Sequence, residues 1–385
     1  MSGPLSGEKE QPGLNREVEN QDQQAEVAAA RAGGYRLLAR FFTREVDEPL
    51  LAFLRENPDF LPGVKLPGAE EQAGWLHSLN VEYSRLLLLN VYPYASIYTG
   101  REMLLNTEET DRVRRFYTLY GFDHSTFGTG GGNLLPDHLA VELSFLAFLG
   151  EEESESWRKN NPARAEFLAS VEQTFLTEFL LSWLPVFAVA LKRSGTSGFY
   201  GAVAEQCLSF ACQDFEYLSN LPTPAPGETP SQWEASPGPS AASGLEESLP
   251  ASLKQLIRFL LTPVEAGFYL SKLELFKLGQ VLELPVGVTE RYKMLENLFS
   301  NAAEYGQVEN LMEALNIIRE SYQEELTRFQ QEWPLNEAVW QAWQQRLENT
   351  FFFLKAVKKE VGKEAGEMLE PAVDLEMERG RKSFT

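Results

Sequence analysis

Histidine and cysteine are nearly absent from this chain. It has three histidines (His77, His124 and His138) and two cysteines (Cys207 and Cys212). A zincin needs HExxH, and a di-iron bundle needs two ExxH pairs. Neither pattern occurs: the residues three before each histidine are Gly74, Gly121 and Leu135. Asp137-His138 has the wrong order for an HD-type metal phosphohydrolase, and the further histidines such a site needs are missing. No metal site is expected. Two cysteines five residues apart on one predicted helix make neither a disulfide framework nor a zinc site, and they fit a reducing compartment.

Basic residues are also scarce. There are 34 Lys and Arg against 56 Asp and Glu, a net charge of −22. That excludes sequence-independent nucleic-acid binding, in which cations must replace phosphate counterions. It also disfavours an anionic membrane surface. Such a charge keeps a chain soluble and draws in a basic partner. Long apolar runs are missing too. The longest, Phe179 to Leu191, contains Ser182 and Pro185 and is too short to span a bilayer. The first thirty residues are polar and lack the apolar core of a secretion signal. A cytoplasmic protein without membrane insertion is expected.

Catalytic signatures are missing as well. There is no GxSxG, and the glycine run Gly128–Gly132 is followed by Asn133 rather than the lysine of a phosphate-binding loop. That run is read as a loop leading into a helix. The chain is expected not to be an enzyme and to need no cofactor.

What is present is core-forming material in a helical rhythm: 43% hydrophobic residues and 25 phenylalanines. Tyr35, Leu38, Phe41 and Phe42 recur at steps of three and four, as one buried helix face requires. Similar stretches follow at about 47–56, 69–90, 107–120, 136–149, 163–193 and 198–219, and no long apolar–polar alternation suggests a sheet. Residues 221–250 hold seven prolines with Gly, Ser and Ala between them, which marks a linker; Trp233 is the one residue in it able to dock. A second helical block spans 251–356. In it Ser271 and Glu274 form a capping box, and Trp333, Trp340, Trp343, Phe351 and Phe352 are expected to close a core. The organisation expected is all-α: a disordered lead (1–27), a helical domain (28–220), the linker, a smaller helical domain (251–356) and a charged tail (357–385).

Two segments carry the functional signal. In Val81–Leu105, Pro93 stops an apolar helix near Asn90 and leaves Tyr92, Tyr94 and Tyr98 on a loop. Those phenols either cover the rim of the core or offer a binding surface. In Asn133–Leu149, Pro136 and Asp137 suit a first helical turn, and Leu139, Leu143, Leu146 and Leu149 face the core. His138 and Glu142 share another face, as a surface pair or as part of a site.

Together and in this order, Leu86-Leu87, Pro93-Tyr94-Ala95-Ser96, Pro136-Asp137-His138 and Glu142-Leu143-Ser144-Phe145 resemble the pattern of the TorD/DmsD/NarJ family of redox-enzyme maturation chaperones. The resemblance covers roughly residues 30–220 and departs at Leu87, where phenylalanine is usual. It implies a TorD-like helical domain that binds an apo-molybdoenzyme subunit, often at its twin-arginine signal peptide, until the molybdenum cofactor is inserted. Carried over by position, the peptide-binding residues implied are Pro93, Tyr94, Ser96, Pro136, Asp137 and His138, with Tyr98 and Glu142 beside them. In that picture Asp137 and Glu142 meet the guanidinium groups, and Tyr94 and Tyr98 cover the apolar stretch. The C-terminal block exceeds a minimal member; a second grip on the client, dimerisation into a homo-oligomer, or shielding of the groove are open to it. The alternatives are a helical adaptor for a redox-enzyme subunit without cofactor work, and a nucleotide hydrolase using Gly128–Gly132.

Overall fold

The computed structural model describes residues 12–126, 134–221, 252–334 and 337–381. The Gly128–Gly132 run lies outside the described residues, as does the linker beyond Leu221, with Trp233. The described residues form fifteen α-helices and no β-strand, so the fold is all-α as the sequence predicts. The first nine are α1 (Pro12–Thr43), α2 (Glu48–Glu56), α3 (Gln72–Tyr83), α4 (Ala95–Thr99), α5 (Glu108–Leu119), α6 (Leu139–Arg158), α7 (Pro162–Phe175), α8 (Leu184–Ser194) and α9 (Phe199–Ser219). The C-terminal block adds α10 (Leu253–Leu261), α11 (Pro263–Ala266), α12 (Lys272–Val281), α13 (Arg291–Glu304), α14 (Val308–Glu332) and α15 (Glu337–Arg381).

Local chemistry explains where helices start. Asp47 caps α2 by accepting from the Leu50 amide at 3.1 Å, and Asn161 caps α7 ahead of Pro162. The capping box at α12 is complete: Glu274 N–H donates to the Ser271 hydroxyl and Ser271 N–H to the Glu274 carboxylate, each at 3.1 Å. The single helical stretch expected at 163–193 is broken. A π-turn at Leu176–Leu180, closed by Leu181 N–H on the Leu176 carbonyl at 2.9 Å, precedes a 52° bend into α8. Pro185, which has no amide hydrogen, takes the first turn of the new helix, where none is needed.

α6 lies at the centre and is buried nearly all round from Leu139 to Gly150, so the polar residues of that stretch cannot form a solvent face. α1 runs along it through Ala25, Ala28 and Ala32. Gly150 permits this closeness, because a Cβ there would sit 3.2 Å from the Ala28 carbonyl oxygen. The lead expected at 1–27 is thereby corrected: helix begins at Pro12, and Ala25 is buried because it forms part of the α1–α6 seam.

The C-terminal helices share one continuous apolar core with the first nine. Trp333, Trp340 and Trp343 are buried as expected, with Trp340 Nε1–H donating to the Trp333 carbonyl at 2.9 Å. Phe352 is not: it is 57% exposed, on the outer face of α15. α15 continues to Arg381, so no break in the helix separates this block from the charged tail. Among the described residues no single helix is long and apolar enough to cross a membrane.

Candidate functional site

The two predicted segments meet. Tyr94 and His138 form an isolated antiparallel bridge, with Leu139 N–H donating to the Pro93 carbonyl and Ala95 N–H to the Asp137 carbonyl, both at 2.9 Å. The Tyr94 ring stands edge-on to His138, centroids 4.8 Å apart. This clasp joins positions more than forty residues apart in the chain.

Each motif residue fills a structural role there. The Asp137 carboxylate accepts from the Ser96 amide at 3.0 Å, so Asp137 satisfies two free amides at the start of α4, one by its backbone and one by its side chain. His138 is the N-cap of α6, its Nδ1 accepting from the Ala140 amide at 3.1 Å. The Pro136 carbonyl accepts from the Tyr117 hydroxyl at 3.0 Å. Glu142, one turn into α6, accepts from Trp183 Nε1–H at 3.1 Å.

Burial sets the protonation states. It pushes the Asp137 carboxyl above its usual range, opposed by the hydrogen bond from the Ser96 amide. Glu142, fully enclosed and near Asp137, is pushed well above the carboxylate range, first by burial and then by that neighbouring charge. Burial also lowers His138 to about 3, so the imidazole is neutral at physiological pH and Nδ1 is free to accept.

The arrangement corrects the sequence expectation in one respect. Ser96, Tyr98, Pro136, Asp137, His138 and Glu142 are all buried, Pro93 with them, and Tyr94 is half-buried. A buried carboxylate cannot pair with a guanidinium in solvent, so Asp137 and Glu142 do not form the acidic face of an open groove. His138 and Glu142 are not a surface pair. The physical reason is that α6 is the central helix, a fact its local spacing does not encode. The resemblance located the clasp; it did not reveal that the motif holds the loop from beneath.

Beside the clasp lies an open cleft of about 210 Å³, lined by Ala95 and Thr99 of α4, Glu109 and Arg112 of α5, and Glu178 and Phe179 of the π-turn. Arg112 Nη2 pairs with Glu178 across it at 2.5 Å, and the guanidinium stacks over Phe179. Thus the clasp fixes one wall of the cleft through α4.

A second buried polar cluster escaped the sequence reading. Arg31 of α1 pairs with Glu153 at 2.7 Å, and with Glu172 and Asp214, gathering α1, α6, α7 and α9. Tyr35 donates to Asp214 at 2.6 Å. Burial alone would lower the Arg31 pKa, but the three carboxylates raise it well above its ordinary value. One cation cannot balance three anions, and Glu172, fully buried beside Glu153 and Asp214, is pushed up towards its protonated form. The partners lie 122, 141 and 183 residues from Arg31, so no local spacing announces them; the lone Arg31 within the run AEVAAARAGG was the available hint.

Comparison with known proteins points to the same segment of the chain. Residues 43–189, which include the whole clasp, match the family model described as nitrate reductase delta subunit. The chaperone protein TorD of Vibrio cholerae is 31% identical over 129 residues, covering 34% of this chain and 55% of that protein. TorD of Photobacterium profundum is 31% identical over 127 residues (33% and 55%), and that of Vibrio parahaemolyticus 33% over 128 residues (33% and 55%). The chain spans about half the length of the curated relatives it matches. No solved structure matches it. Both halves of the clasp lie inside the segment that is similar to the nitrate reductase delta subunit model and to the TorD proteins.

Proposed function

We propose that this chain is a cytoplasmic chaperone that binds the apo form of a molybdoenzyme catalytic subunit, including its twin-arginine leader, until the molybdenum cofactor is in place. The observation that carries the reading is the cleft fixed against the Pro93–Asp137 clasp, with glutamates on its walls. Glu178 pairs with Arg112 and Glu108 with Arg115 on these walls, which leaves the Glu109 carboxylate to suit a basic leader segment and Phe179 the apolar stretch behind it. The buried Ser96, Pro136, Asp137, His138 and Glu142 act by holding α4 in place rather than by touching the client. A net charge of −22 assists encounter with a cationic peptide and makes binding weaken as salt rises.

The test is co-expression with a molybdoenzyme subunit, with and without its leader, and titration calorimetry of the leader alone. Leader binding should fall by about tenfold in the charge-reversal variant Glu109→Lys, an effect equal to about 1.4 kcal/mol. Equal recovery of the subunit with and without its leader, together with unchanged cofactor insertion, supports the adaptor reading instead.

A further inference from the structure

The segment joining α11 to α12, Gly267-Phe268-Tyr269-Leu270-Ser271, is non-helical, and Phe268, Tyr269 and Leu270 are completely buried. It lies on the tyrosine loop of the N-terminal block. The Tyr269 ring packs on Tyr98 with centroids 5.3 Å apart, and the Tyr269 hydroxyl donates to the Asn90 carbonyl at 2.6 Å. The Tyr322 hydroxyl of α14 holds the strap from behind by donating to the Tyr269 carbonyl at 3.0 Å. Gly267 is required where the strap leaves α11: its φ is +82°, and a Cβ would meet the Leu347 amide nitrogen at 2.8 Å.

We propose that this strap is a built-in competitor for the client, occupying the tyrosine loop that an extended apolar segment of the client would cover, and that client binding displaces it. The inference rests on the chaperone reading above. Three observations carry it. The strap has the chemistry of the segment it would mimic: non-helical, apolar and aromatic. The fully buried Tyr98 hydroxyl has no hydrogen-bond partner among the described residues while the strap is seated, leaving a donor that a client carbonyl can take up. Around the strap the two blocks share the apolar core and are also joined by ion pairs. Lys192 pairs with Glu205 at 3.1 Å and Glu325 at 2.9 Å, Arg328 pairs with Glu205, and Arg193 pairs with Glu274 at 2.8 Å. Partly exposed pairs of this kind hold weakly and yield to salt, so opening the seam costs chiefly the apolar contacts that an apolar client segment would replace.

The seam also supplies its own lock. The hydroxyls of Ser194 and Ser271 face each other across it at 3.2 Å, both buried. In the full chain, the double variant Ser194→Cys/Ser271→Cys pins the strap when oxidised and frees it when reduced; the native Cys207 and Cys212 are buried away from solvent. The probe is a synthetic peptide with an Arg-Arg pair ahead of a Leu/Phe stretch, titrated into both forms. Oxidation should weaken binding by at least about tenfold, since affinity scales with the open fraction, and reduction should restore it. Tyr269→Phe, which lacks the bond to Asn90, should tighten binding by about threefold. Equal affinity in the oxidised and reduced forms overturns the proposal. Failure of the peptide to bind either the wild type or the reduced variant overturns the chaperone reading, and the strap proposal with it.

Discussion

Two buried polar clusters, built by opposite means, hold the N-terminal block. Around Arg31, three carboxylates gather on one guanidinium, and four helices depend on that single cation. Around Asp137 no cation is in direct contact among the described residues: the carboxylate is held by the Ser96 amide, and Glu142 survives burial by favouring its neutral form and accepts from the Trp183 indole N–H. A cluster held by charge fails when its one counter-ion goes. One held by oriented N–H groups tolerates neutral, isosteric replacement.

Breaking the first cluster should have the largest effect. Arg31→Met leaves Glu153, Glu172 and Asp214 enclosed without their cation, and should cost about 3–5 kcal/mol in chemical denaturation. A loss below about 1 kcal/mol would remove the difference between the two clusters. The second cluster predicts a pH effect. His138 is depressed to about 3, so its contribution is complete above the unfolded pKa of 6.5 and is lost as pH falls towards 3, because the folded state resists the proton that the unfolded chain accepts. His138→Asn keeps a capping oxygen without the titration. It should stay within about 1 kcal/mol of wild type at pH 7 and exceed it by about 2–3 kcal/mol at pH 4. Parallel acid-unfolding curves would refute that assignment.

The smallest effect should come from Glu142→Gln. The raised pKa means that wild type loses stability as pH climbs above the ordinary value of 4.5 towards the folded value, since the unfolded chain ionises first. The glutamine variant lacks that slope. It should match wild type near pH 5 and be the more stable of the two at pH 8, read from denaturation midpoints at the two pH values. A large loss at both would mean that the acid proton makes a bond that an amide cannot copy.

These clusters also show how far the sequence could be read. Helices α2, α5, α9 and the capping box of α12 follow from local periodicity and caps, which are properties of neighbouring residues. The pairing of Pro93-Tyr94 with Asp137-His138 was legible through resemblance. Its burial was not, since α6 carries the same apolar period whether its remaining faces meet solvent or other helices. The 52° bend before α8 was missed although Pro185 marked it, because an apolar run on both sides reads as one helix.

By itself, then, the sequence determined the all-α class, the absence of zincin, di-iron and phosphate-loop signatures, the acidic balance and the positions of the two motif segments. Those depend on composition and on contacts within a few residues. Only the tertiary structure decided that the motif acts from beneath the surface, that Arg31 collects carboxylates from three other helices, and that the Phe268–Leu270 strap lies on the tyrosine loop. Each of these joins residues scores of positions apart, where packing, not local spacing, selects the partner.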